Sequence, residues 1–92
     1  MDVKNIAPPF AKVVEGPDKG LMIPLHEGTI ALGRASENDI TLADPILSRH
    51  HCKLEINGTS VKITDLDSAN GSYLNEAEIR ESLIRDGDKL QI

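Results

Sequence analysis

Arg34, Ser48, Arg49 and Asn70 are the residues of this 92-residue chain whose types and spacing suggest chemistry, and all four fall in turn-like segments. The first segment is Leu32-Gly33-Arg34-Ala35-Ser36-Glu37-Asn38-Asp39-Ile40, and the second is Leu47-Ser48-Arg49-His50-His51. The third is Ser68-Ala69-Asn70-Gly71-Ser72-Tyr73-Leu74-Asn75. Guanidinium groups meet oxyanions with paired N–H donors, a hydroxyl adds a further donor, and a carboxamide both donates and accepts. Loop residues are released from packing, so anion-seeking groups concentrated in three loops point to a recognition surface.

The segments that hold these loops read as short strands. Ala11-Lys12-Val13-Val14-Glu15 runs through the turn cluster Gly16-Pro17-Asp18-Lys19-Gly20 into Leu21-Met22-Ile23-Pro24-Leu25, a hairpin pattern. Thr29 to Leu32 forms another strand that ends at Gly33. Cys52 to Ile56 alternates with period two, and Asn57-Gly58 then turns the chain into Ser60 to Asp65, the strongest short hairpin signal present. Ser72 to Asn75, Ile79 with its neighbours, and Lys89 to Ile92 supply further strands, the last preceded by the turn Asp86-Gly87-Asp88. No segment carries a sustained helical period. Many short strands at regular spacing predict an all-β sandwich or barrel.

Composition narrows the partners. Aromatic residues are 2% of the chain, Phe10 and Tyr73, so the core rests on Val, Ile and Leu. That leaves no stacking platform for single-stranded nucleic acid. A formal net charge of −5 opposes a broad phosphate-backbone interface, so any anion site must be local and no nucleic-acid partner is expected. Cys52 is the single cysteine, which fits a reducing, cytoplasmic setting. No apolar run approaches the roughly 20 residues a spanning helix needs, and no membrane partner is expected.

Gly33-Arg34, Asn38-Asp39-Ile40, Leu42, Asp44, Ser48-Arg49 with His51, Asp65, Ser68, Asn70-Gly71, Asn75 and Gly87-Asp88 stand in an order and spacing that resembles the forkhead-associated (FHA) domain. The resemblance covers nearly the whole chain. It implies an antiparallel β-sandwich of two twisted sheets, whose loops at one end bind phosphothreonine in a partner protein. By resemblance Arg34 contacts the phosphate, Ser48 supplies a second contact, and Asn70 grips the main chain of an extended peptide. Arg49 adds charge and a backbone N–H. Four further residues take supporting roles. Gly33, lacking a Cβ, lets backbone and ligand come close, and His51 braces the loop under Ser48 through a backbone hydrogen bond. Gly71 and Asn75 shape turns. Asp39 and Asp44 cap loop amides, and His50 faces solvent.

Departures from the family pattern carry expectations of their own. Ala69 removes a contact that a larger polar residue makes in many members, Ser72 replaces a usual Thr, and Glu76 stands where Gly is common. Residues 1–9 are expected as a flexible lead-in, because Pro8 and Pro9 cannot donate to a ladder. Residues 10–92 are then a domain lacking its usual last strand. Ala11–Glu15 is expected to lack a neighbour and to invite self-association through an open edge.

Other chemistries fit less well. Ser48 with His50 or His51 and an Asp lacks any nucleophile elbow. His50 and Cys52 share a strand face but have no further ligands at zinc spacing, and neither a Walker loop nor a dinucleotide fingerprint occurs. A non-catalytic domain without metal or cofactor is therefore expected. The rival reading is a phosphorylation-independent assembly module on the same fold.

Overall fold

The computed structural model describes residues 3–7 and 10–92, and these form two packed sheets with no helix among the described residues. Eleven strands occur in the order β1 (Val3–Ala7), β2 (Phe10–Glu15), β3 (Met22–Pro24), β4 (Gly28–Gly33), β5 (Ile40–Thr41), β6 (Cys52–Asn57), β7 (Ser60–Asp65), β8 (Ser72–Leu74), β9 (Ala77–Ile79), β10 (Glu81–Ile84) and β11 (Lys89–Gln91). One sheet has the order β3-β2-β1-β11-β8-β9 and the other β10-β7-β6-β4-β5. All pairings are antiparallel except β4 with β5, a short parallel contact at Leu32↔Ile40 and Gly33↔Thr41.

Alternation explains the layering. Ala11 and Val13 of β2, Cys52, Leu54 and Ile56 of β6, and Val61 and Ile63 of β7 are buried, while the residues between them face outward. A strand's side chains alternate between faces, so each sheet presents one aliphatic face to the other. Ile23, Leu25, Ile30, Leu32, Leu42, Leu47, Ile84, Leu90 and Ile92 complete a single core cluster. Phe10 stays 44% exposed, so the core cluster is built from aliphatic side chains and Cys52 without an aromatic ring. The β6–β7 hairpin uses Gly58 and Thr59 as its two loop residues, with Asn57 still paired to Ser60. Gly58 has φ 63° at the first central position, the place a type II′ turn reserves for Gly.

The N-terminal expectation is overturned. Residues 3–7, expected within a flexible lead-in, form β1, which pairs with β11 through Val3↔Gln91, Lys4↔Leu90 and Asn5↔Lys89. Its other side pairs with β2 from Val3↔Glu15 to Ala7↔Phe10, with one bulge. Ala11–Glu15 therefore has neighbours on both sides, β1 and β3, and is not an open edge. The physical reason is local: residues 3–7 contain no proline, so every backbone N–H can join a ladder. The prolines at 8 and 9 follow the strand and lie outside the described residues. Sheet edges fall instead at β3, β9, β10 and β5.

Asn75 and Glu76 connect β8 to β9 with φ 50° and 72°, both left-handed, around the pair Leu74↔Ala77. Asn75 is well suited there. Its amide donates to Asp88 Oδ1 at 3.0 Å, its carbonyl oxygen takes the Lys89 N–H at 3.0 Å, and its own N–H reaches Lys89 O at 2.8 Å. The Arg85 N–H and then the Asn75 amide hold the Asp88 carboxyl below its ordinary range. Glu76, by contrast, gains nothing from the left-handed region, which disfavours any Cβ. Glu76→Gly is expected to stabilise the domain by about 0.5–1 kcal/mol, the left-handed penalty less the extra backbone entropy of Gly. Thermal unfolding checks this, and a lowered melting temperature would contradict it.

Candidate functional site

The anion-seeking loops emerge at one end of the sandwich, after β4, before β6, after β7 and before β8. Main-chain bonds zip the first two together: Arg34 N–H donates to Ser48 O at 3.1 Å, Ala35 N–H to Arg49 O at 3.0 Å, and His51 N–H to Leu32 O at 3.0 Å. Gly33 makes this approach feasible. A Cβ there would collide with the carbonyl oxygen of Arg49 and come within 2.9 Å of the Asn38 amide nitrogen. The close approach at Gly33 is thus to the neighbouring loop's backbone rather than to a ligand. Asn38, buried between the loops, donates from Nδ2 to Ala35 O at 2.8 Å and Arg49 O at 2.7 Å.

The third loop docks on the second through side chains. Ala69 N–H donates to Ser48 Oγ at 2.9 Å, and Asn70 Nδ2 donates to Ile46 O at 2.8 Å. His51, fully buried, lies between them. Its Nδ1 accepts the Ser48 backbone N–H at 3.2 Å, and its Nε2 meets Gly71 O at 2.8 Å. A backbone N–H can only donate and a carbonyl can only accept, so this pairing assigns the ring proton to Nε2. The imidazole therefore serves the main chain and not the Ser48 hydroxyl, which removes the geometry a nucleophilic serine needs. Gly71 has φ 84°, in the left-handed region that its turn requires.

Arg34, Ser48, Arg49 and Asn70 are thereby brought to the same rim, whereas Asn75 lies past the far end of β8. The unused valences on that rim point outward. Arg34 is exposed and its Nε is spent on Leu47 O at 3.2 Å, which fixes the guanidinium while leaving both Nη groups for an anion. Ser48 Oγ uses an acceptor position on Ala69 and keeps its proton to donate. Asn70 spends one amide hydrogen on Ile46 and retains Oδ1 and a second hydrogen. His50 is exposed, 3.4 Å from Asn38 Oδ1. Asp44 accepts the loop Ile46 N–H at 3.1 Å, the capping contact expected of it, whereas Asp39 accepts the N–H of Ala31 within β4 at 2.7 Å rather than a loop amide.

Beneath this rim sits a carboxylate whose role the sequence did not disclose. Asp65 Oδ1 accepts from Ser68 Oγ and Ser72 Oγ, each at 2.6 Å, and Oδ2 accepts Ser68 N–H at 3.1 Å. Ser68 Oγ in turn accepts Gly71 N–H at 3.0 Å. Partial burial acts to raise the Asp65 pKa, but the Ser68 and Ser72 hydroxyls and the Ser68 N–H outweigh it, and the group sits below its ordinary 3.8. The signal was present as Asp-x-x-Ser, a spacing suited to an Asx-type turn. Cys52, fully buried, has its thiol pushed up to about 12 by desolvation, against the opposing charge of Lys4, and stays protonated. Among the described residues no three His, Cys, Asp or Glu side chains gather as metal ligands. A cavity of about 310 Å³ beside the third loop is lined by Asp65, Asp67, Ser68, Gly71, Glu78, Ile79 and Arg80. Its carboxylates make it a poor seat for phosphate, and the anion-directed groups lie outside it.

A two-sheet all-β sandwich with these loop contacts defines a class, and the chain belongs to the forkhead-associated domain family. The family profile described as "Inner membrane component of T3SS, cytoplasmic domain" matches residues 12–92. The chain is 36% identical over 80 residues to the oxoglutarate dehydrogenase inhibitor of Corynebacterium jeikeium, covering 87% of this chain and 56% of that protein. It is 32% identical over 80 residues to the glycogen accumulation regulator GarA of Mycolicibacterium smegmatis, covering 87% and 51%. The chain thus spans about half the length of these regulators. Among solved structures, a domain from a study of phosphothreonine-dependent FHA domain interactions superposes with TM-score 0.81 at 27% identity, covering 99% of this chain and 86% of that one. EmbR of Mycobacterium tuberculosis, solved with a low-affinity phosphopeptide, gives TM-score 0.74 at 36% identity over 79% of this chain and 20% of its own.

The Asp65 network generates a pH-dependent expectation. A depressed carboxylate stabilises the fold above its unfolded value and loses that contribution as pH falls through its folded value. Asp65→Asn is expected to cost about 1–3 kcal/mol near neutral pH, because a charged acceptor shared by three donors is lost. The gap between variant and wild type is expected to narrow as pH falls below the ordinary value of 3.8 and to close only once it has passed the lower folded value, where the native carboxyl is itself protonated. Urea unfolding across pH measures it, and a gap independent of pH would contradict the assignment.

Proposed function

We propose that this domain is a non-catalytic phosphothreonine reader that docks partner proteins in signalling. The observation that carries the reading is the lock between the three loops. Arg34 N–H on Ser48 O and Ala69 N–H on Ser48 Oγ fix a guanidinium, a hydroxyl proton and a carboxamide around one rim before any ligand arrives. Preorganised donors lose little entropy on binding, which favours a dianion with three acceptor oxygens. The phosphate would sit between the Arg34 Nη groups and the Ser48 hydroxyl, with Arg49 adding charge. An extended peptide backbone would be held by Asn70 Oδ1 and its remaining amide hydrogen. The FHA relatives act as signalling or regulatory domains rather than enzymes, which agrees with the imidazole of His51 being bound to main chain. We place the domain in the cytoplasm, on the reducing setting that a lone buried thiol suits.

A second reading, a phosphorylation-independent assembly module, draws support from Ala69, whose methyl offers no polar contact at a rim position. One titration separates the two. A phosphothreonine peptide, its unphosphorylated Thr form and its phosphoserine form are measured by calorimetry against wild type and Arg34→Ala. The reader is expected to bind the phosphorylated forms, phosphothreonine most tightly, and not the unphosphorylated Thr form. Arg34→Ala should lose roughly ten- to a hundredfold in affinity, matching about 1.5–3 kcal/mol for one charge-assisted contact. Phosphoserine should bind more weakly by up to about fivefold, the value of one buried methyl, and by more where the β-branched rotamer restriction contributes. Equal binding of all three peptides, unchanged by Arg34→Ala, would overturn the reader and leave the assembly module.

A further inference from the structure

Arg49 carries a carboxylate of its own. Its Nη2 stands 3.6 Å from Glu37 Oε1, and both side chains are about two-thirds exposed, 63% and 62%. The pairing follows from how the two loops are joined. Ala35 N–H and Asn38 Nδ2, which flank Glu37 in sequence, both bond the Arg49 carbonyl oxygen, at 3.0 and 2.7 Å. Gly33 lets that same carbonyl approach the β4 backbone. Glu37 is therefore tethered on both sides to the residue whose guanidinium it meets.

We infer that Glu37 is a built-in competitor for the phosphate at Arg49, so that a phosphothreonine ligand must displace its carboxylate to recruit the second guanidinium. The inference rests on the phosphothreonine reading above and adds an affinity-setting residue to it. An exposed ion pair is weak and exchanges freely, so the competitor lowers affinity without closing the site. The apparent affinity equals the intrinsic one multiplied by the fraction of Arg49 that Glu37 leaves open. Arg34, anchored to Leu47 O and with no carboxylate paired to it among the described residues, makes the first contact in either case. The domain's threshold for a phosphorylated partner is set by Glu37, a residue that touches no ligand.

Salt shows that the effect is electrostatic, and a second substitution distinguishes the mechanism from a simple change of net charge. Calorimetry with a phosphothreonine peptide compares wild type, Glu37→Gln, Arg49→Ala and the double variant. At low salt Glu37→Gln is expected to bind about two- to fivefold tighter than wild type. The gain should vanish at about 1 M salt, where the screening length is about 3 Å. In the Arg49→Ala background Glu37→Gln should add nothing, since the competed group is gone. Wild-type binding with no gain in Glu37→Gln would overturn this inference alone, as would an equal gain in both backgrounds. Binding by neither wild type nor Glu37→Gln would overturn it together with the phosphothreonine reading.

Discussion

Two backbone segments meet at Gly33 with no room for a methyl group, and the rest of the site depends on that meeting. The Arg49 carbonyl occupies the space a Cβ would take. Because the segments lie this close, Arg34 and Ala35 can reach the carbonyls of Ser48 and Arg49, and Asn38 can bond both loops from between them. A bulkier residue would push the second loop outward and break several of these bonds together, since packed backbone yields little. The conformational freedom of Gly is incidental at this position. Its small size is what the geometry uses.

The same end of the sandwich is rigid because buried polar groups are satisfied there, each by a specific partner. Loops ordinarily rank among the more mobile segments, having few apolar contacts. Here His51 joins the second loop to the third, and Asp65 ties down the third through Ser68 and Ser72. Every one of these bonds uses an inward valence. The outward valences of Arg34, Ser48 and Asn70 are left over by construction, and this division between inward and outward atoms on the same residues is what the proposed binding rim relies on. Losing an inward bond therefore acts on the outward group even when no ligand contact is removed.

Much of this was legible from the chain. Period-two alternation in Ala11–Val13, Cys52–Ile56 and Val61–Ile63 marked the core strands, because burial on one face leaves no other pattern. Asn57-Gly58 marked the β6–β7 hairpin, although the loop sits one residue later, at Gly58 and Thr59. The less legible elements were those whose stability is borrowed from neighbours. β1 carries a lysine that is fully buried, an inward residue that polar–apolar reading assigns to solvent. β5 is two residues long, and β10 ends a sheet with Leu83 exposed. Nor could spacing reveal that Gly33 faces Arg49, or that Glu37 does, because both relations arise from loops joined across the fold rather than along it.

Charge shows why such joining matters for function. A domain with formal net charge −5 repels a phosphorylated ligand at long range, so the recognition we propose cannot come from a general positive field. It must come from donors held within contact distance, where directional hydrogen bonds outweigh the screened repulsion of remote carboxylates. The fold meets this requirement by placing Arg34 on a strand end, fixing its Nε on Leu47 O, and setting the Ser48 hydroxyl beside it through backbone bonds. The acidic surroundings then work against non-specific anions, which gain the same local charge but cannot use the fixed hydroxyl and amide positions. On the proposed reading, specificity is thus a consequence of geometry imposed on an electrostatically unfavourable background, and the loops' mutual hydrogen bonds are what hold that geometry.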